Sequence, residues 1–231
     1  MAKGPVQEGL GLVERLSDAG EYEAALQELD RLSLTEPDHA PIHTARGWAL
    51  ENLGVEHLGE ARDAYRRALA LDPSALWAKE GLSNVLRRLG EVEEADRLSV
   101  EVIEEGRTRY DREEDLRELV GWCQLRLGRF DEAIQTLREA LRLDGRWTAV
   151  RFDLALAMLC ANHRVRALLE YQRGVHQAEN GGLARLRGVV RVALDDLEEA
   201  LGERPALAAS QEAMTIRNLL RSTLFAASRT G

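Results

Sequence analysis

Apolar residues along this chain recur at intervals of three and four, the period of an amphipathic helix. Within 127–144, LGRFDEAIQTLREALRLD, the residues Ala133, Leu137, Ala140 and Leu141 share one face, and polar residues fill the other. The spacing predicts a helix over about Phe130–Leu143, preceded by another over about Glu114–Arg126. Near the C-terminus, Leu183, Leu186, Val190, Leu194 and Leu197 predict a helix over 183–202, ended by Pro205. A further helix is predicted over Ala206–Ala227, with Leu207, Met214, Leu220 and Leu224 apolar.

The helical phrase repeats. A glycine, or an asparagine in its place, stands five residues before an alanine at Gly20/Ala25, Gly90/Ala95, Gly128/Ala133 and Asn162/Ala167. Gly54 precedes Ala61 by two residues more. Successive markers lie 34, 36, 38 and 34 residues apart, the signature of a helical repeat array. Each unit then holds two helices, with the glycine at the turn, where the backbone must go left-handed without a Cβ clash. Asn162 adopts that conformation at more cost. Asp131 adds charge favoured by the dipole in a first turn, and Pro37 and Pro73 stop second helices. Two irregularities stand out. VEHLGEA (55–61) lengthens one turn, and EEGRTRYDREEDL (104–116) inserts about four residues, as an extra helical turn or a longer loop holding Tyr110.

This pattern resembles the tetratricopeptide repeat. The small residue of the first helix is Gly47, Ser83, Gly121 and Ala155 in units two to five. The small residue early in the second helix is Ala25, Ala61, Ala95, Ala133 and Ala167, followed by the bulky Leu29, Tyr65, Leu137 and Tyr171, with Ser99 departing in unit three. Ala68, Ala140 and Gly174 supply the later small residue; Leu32 and Val102 do not. Tyr22 and Phe130 follow the inter-helix glycine, with Val92 in unit three. The resemblance covers about residues 6–181. It implies an all-α, right-handed α-solenoid of five helix–turn–helix units, at 6–39, 40–75, 76–109, 114–147 and 148–181, with capping or docking helices over 182–231. Small residues at these places allow close helix approach.

In that family the first helices line a concave groove. The resemblance places Trp48 and Glu51 of unit two there, with Trp77, Glu80, Asn84, Arg87 and Arg88 of unit three. Unit four gives Asp115, Glu118, Trp122 and Arg126, and unit five gives Phe152, Leu156 and Leu159. Trp48 and Trp122 each follow a first-helix glycine directly, in GWALENLG and GWCQLRLG, a position that faces the groove. Aromatic and arginine side chains are the usual binding anchors. The lysine and asparagine clamp by which some relatives hold an acidic C-terminus is not matched: those positions hold Leu10, Glu14, Trp48, Glu80 and Asn84, and only Asn84 fits.

Composition sharpens the functional expectation. The chain has 231 residues and a net charge of −9, with no basic run, which argues against nucleic-acid binding. Residues 91–118 carry twelve acids against five arginines: a solvated face, or a patch that steers a basic partner. Cys123 and Cys160 have neither metal nor disulfide spacing and read as core residues. His39 and His43 are four apart, but Pro41 intervenes and no further ligand is near. No signal peptide, membrane span, phosphate loop or nucleophile–base grouping is present in the sequence, so no cofactor is implied and the expected location is the cytoplasm. The expectation is a non-enzymatic scaffold that binds an apolar, partly basic peptide or helix in its groove. Self-assembly through the C-terminal helices is the alternative, and an enzyme or small-molecule sensor is the weakest reading.

Overall fold

In the computed structural model, which describes residues 4–110, 113 and 116–229, the fold is all-α, and no strand occurs among these residues. The chain forms two compact units, residues 1–105 and 106–231.

The first unit holds α1 (Pro5–Asp18), α2 (Tyr22–Thr35), α3 (Ala40–Leu53), α4 (Leu58–Leu71), α5 (Leu76–Arg88) and most of α6 (Val92–Arg107). From α1 to α5 each helix packs on the next, and α3 also meets α1 and α5. This nearest-neighbour packing is that of a solenoid. The second unit holds α7 (Leu116–Arg126), α8 (Phe130–Leu143), α9 (Thr148–Cys160), α10 (Arg164–Glu179), α11 (Leu183–Glu203), α12 (Pro205–Ala208) and α13 (Gln211–Arg229). Here α7 to α10 stack in the same way, and α11 and α13 lie against each other and against α10. Among the described residues no helix is long and apolar enough to cross a membrane.

The turns follow the expected chemistry. Gly20, Gly90 and Gly128 have φ of 75°, 85° and 73°, and Asn162 takes the same left-handed conformation at 65°. At Gly128 the Arg129 N–H donates to the Gln124 carbonyl at 2.8 Å, and the Gly128 N–H to Leu125 at 2.9 Å. This pairing absorbs carbonyls that the helix end leaves open. Gly54 differs: its backbone is extended, and a single 3-10 turn at Val55–His57 takes up the extra residues. The insertion after unit three is partly absorbed by helix, since α6 runs 16 residues against 14 in α4 and α8. Tyr110 lies in the turn beyond it, with the Arg117 guanidinium 4.5 Å over its ring.

The small positions are close contacts. A Cβ at Gly47 would stand 2.7 Å from the Tyr65 ring, and one at Gly121 would stand 2.6 Å from Leu137. Unit three reaches the same closeness with polar chemistry. Ser83 shares a 2.7 Å hydrogen bond with Ser99 and donates at 2.8 Å to the Ala95 carbonyl. Ser99 is therefore a matched partner of Ser83. Cys123 is buried, whereas Cys160 is only half-buried, so the core placement expected of both holds for Cys123 alone. The C-terminal segment also departs from expectation. The single helix over Ala206–Ala227 is two, because Pro205 opens α12 and Ser210 caps α13, its Oγ accepting from the Ala213 N–H at 3.3 Å.

Candidate functional site

In the first unit the projected ligand-binding residues sit on α3 and α5. Trp48 is 37% exposed on α3, and Trp77 is 42% exposed at the start of α5. Trp48 meets Tyr22 edge-on, with ring centroids 5.7 Å apart. Tyr65, reaching in from α4, ties the two first helices together. Its hydroxyl donates to Glu51 at 3.1 Å. Burial pushes its phenol well above the usual range, and the carboxylates of Glu51 and Glu80 add to the shift. Arg88 donates to the Glu51 carbonyl at 3.1 Å, and Asn84 donates to Glu80. Glu51 and Glu80 thus flank one buried phenol, with Arg88 bonded to the first and Asn84 to the second. Arg87 is drawn away into an ion pair with Asp96.

In the second unit the projected residues are not equivalent. Trp122 is half-buried, with the Arg126 guanidinium 5.7 Å over its ring. The Arg126 side chain is only 7% exposed and is held by Glu199 of α11 at 2.5 Å. Glu118 is half-buried. Asp115 lies outside the described residues.

Phe152 corrects the expectation of an exposed binding position. It is 3% exposed, its ring lies 5.8 Å from that of Tyr171, and it fills the space beside Gly174. Leu156 and Leu159 are buried as well, in one apolar cluster with Val190 and Leu197 of α11. The helix α11 packs on α9 and α10, so these positions have become core. Sequence reasoning missed Glu199. It comes from a helix 73 positions beyond Arg126, where no local spacing marks it.

The acidic stretch 91–118 is largely engaged. Asp96 pairs with Arg87, Glu101 with Lys79 at 3.3 Å, and Glu113 with Arg109 at 2.7 Å. His43 donates to the Pro37 carbonyl at 2.8 Å and so braces the turn before α3. Among the described residues no three His, Cys, Asp or Glu side chains gather as a metal site.

Comparison with known proteins agrees with this architecture. Residues 53–95 and 115–146 match two models of the tetratricopeptide repeat. The chain is similar in structure to TTC0263, a thermophilic TPR protein of Thermus thermophilus, with a TM-score of 0.62 and 23% identity over 82% of this chain and 98% of that one. It is also similar to PilW, a type IV pilus biogenesis factor, with a TM-score of 0.54 and 17% identity over 93% of this chain and 99% of that one. At these identities the likeness concerns the fold. No curated protein matches the chain in sequence.

Proposed function

We propose, from the premise that the chain belongs to the tetratricopeptide-repeat family, that it is a non-enzymatic protein-interaction scaffold. It holds a peptide or helix of a partner protein against the faces of α3 and α5 that carry Trp48 and Trp77. The supporting observation is the exposure of these two tryptophans on first helices, while the equivalent face of α9 is buried. Large aromatic rings left in water are the side chains that bind with most energy once desolvated. The neighbouring carboxylates Glu51 and Glu80 favour an apolar segment with some basic character.

The test is affinity capture from native lysate with the full chain and with a Trp48→Ala/Trp77→Ala variant. The variant should keep its helical circular dichroism and lose the captured partners. Partners retained in full would refute the assignment of this face.

A second reading, self-assembly, is favoured by one observation: Phe225 of α13 is exposed. Light scattering of a Phe225→Ser variant decides it, since a change from oligomer to monomer is required.

A further inference from the structure

The second unit carries a cleft that the repeat register does not single out. It lies between α8 and α10, with α9 as its floor, and is an open depression of about 550 Å³. Its apolar lining is Leu141, Leu154, Met158 and Leu169, the last 46% exposed. Its cationic lining includes Arg138, Arg142, Arg166 and Arg173, all exposed.

Arg173 pairs with Glu170 at 2.6 Å, but Arg138, Arg142 and Arg166 form no ion pair among the described residues. The charge of the chain is also split by position. Residues 1–105 carry 11 Lys and Arg against 22 Asp and Glu, whereas residues 106–231 carry 20 arginines against 18 acids. The cleft is thus a cationic site in the half of the chain that has no acidic excess to neutralise it.

We propose that this cleft docks an acidic amphipathic helix of a partner protein. A groove between two helices with an aliphatic floor receives the apolar seam of a third helix. The arginine forks on its rim match carboxylates flanking such a seam. Nucleic acid is the poorer fit: the lining offers no aromatic platform for bases, and the aliphatic floor gives phosphates nothing. A second copy of this chain is also the poorer fit, because its most acidic stretch has many carboxylates already held by Arg87, Lys79 and Arg109. This surface is distinct from the Trp48 and Trp77 face, and it carries the opposite charge preference.

The probe is a fluorescein-labelled synthetic helix with leucines at i, i+3, i+4 and i+7 and glutamates on both flanks. It is titrated against the full chain and followed by anisotropy. Binding should saturate and weaken as salt is raised. It should fall by about tenfold in Arg138→Glu/Arg166→Glu, whose circular dichroism stays unchanged because both side chains are exposed and neither forms an ion pair among the described residues. Leu169→Ser should weaken it independently, and Trp48→Ala/Trp77→Ala should leave it intact. The proposal is overturned if a lysine-flanked peptide binds equally well, or if the arginine variant binds like the wild type. It is equally overturned if a peptide with serines in place of leucines, or a single-stranded oligonucleotide, binds these arginines as tightly as the probe. Concentration-dependent self-association abolished by Arg138→Glu/Arg166→Glu would place a second copy in the cleft instead.

Discussion

Tyr65 lays its ring across Gly47, so close that a Cβ there would stand 2.7 Å from ring carbon Cδ1. The far end of the same ring presses still closer on Gly81 of the next first helix. One side chain of α4 therefore sets how near both α3 and α5 can approach.

A methyl group at Gly81 has nowhere to go, because Tyr65 is fully buried and its hydroxyl is bonded to Glu51. Gly81→Ala should destabilise the chain by about 1–3 kcal/mol, the usual cost of overpacking. Gly59, in an exposed place on α4 where a Cβ would meet nothing, is the control. Gly59→Ala should stabilise by up to about 1 kcal/mol through helix propensity. Urea unfolding of both variants separates steric contact from backbone entropy. Equal effects of the same sign would show that the Tyr65 contact is loose.

The reach of sequence reasoning is visible in these residues. Gly47 was legible because its pairing of a small first-helix residue with a bulky second-helix one recurs as Gly121 with Leu137, the spacing differing only by the longer turn at 55–57, and repetition is a local signal. Gly81 was not, because it contacts the preceding unit and Ser83 occupies the repeating place. The register also treated α3, α5, α7 and α9 alike, yet α11 covers α9. One cue was available: residues 154–159, Leu-Ala-Leu-Ala-Met-Leu, are apolar without interruption, which marks a helix buried all round. The arginine cleft left only part of a cue: Arg138 and Arg142 share one face of α8 by their spacing of four, but Arg166 of α10 joins them only through the packing of α8, α9 and α10.

Phe152 and Trp48 should accordingly respond in opposite ways. Phe152→Ala removes a ring packed on Tyr171 and Gly174 and should cost about 3–5 kcal/mol. Trp48→Ala removes a ring that is 37% exposed and should cost less than about 2 kcal/mol. Urea midpoints at constant slope measure both. A tolerant Phe152→Ala would return that residue to the list of ligand contacts.

Arg126 and Glu199 join α7 to α11 across the second unit. Among the described residues the buried Arg126 Nε already has no acceptor, so losing Glu199 leaves the guanidinium poorly satisfied. Glu199 is itself a third exposed, which moderates the loss, and Glu199→Ala should cost about 1–3 kcal/mol. Amide exchange should quicken along α11 more than along α8. An Arg126→Met/Glu199→Leu variant should recover most of the stability, since an apolar pair carries no desolvation cost. Failure of that recovery would mean that the ion pair fixes the position of α11 and does more than neutralise Arg126.

The buried phenols dictate how stability falls in alkali. Burial raises the Tyr65 phenol well above its ordinary value of 10.0, and Glu51 and Glu80 push it in the same direction. Burial raises Tyr171 similarly, with Asp196 adding. Lys79 also ends above its ordinary value: burial opposes its charge, but Glu105 and Glu101 outweigh that opposition. In each case the folded chain keeps a proton that the unfolded chain releases. Stability is therefore full below about pH 10 and is lost as the pH rises through the folded values. Tyr65→Phe removes one of these titrations together with its hydrogen bond to Glu51. At about pH 8 the variant should be less stable by about 1 kcal/mol. Above about pH 10 its stability should decline less steeply than that of the wild type, because one fewer proton separates the folded and unfolded states. Thermal melts across that range give both slopes, and parallel slopes would mean that Tyr65 titrates in the folded chain as freely as in the unfolded one.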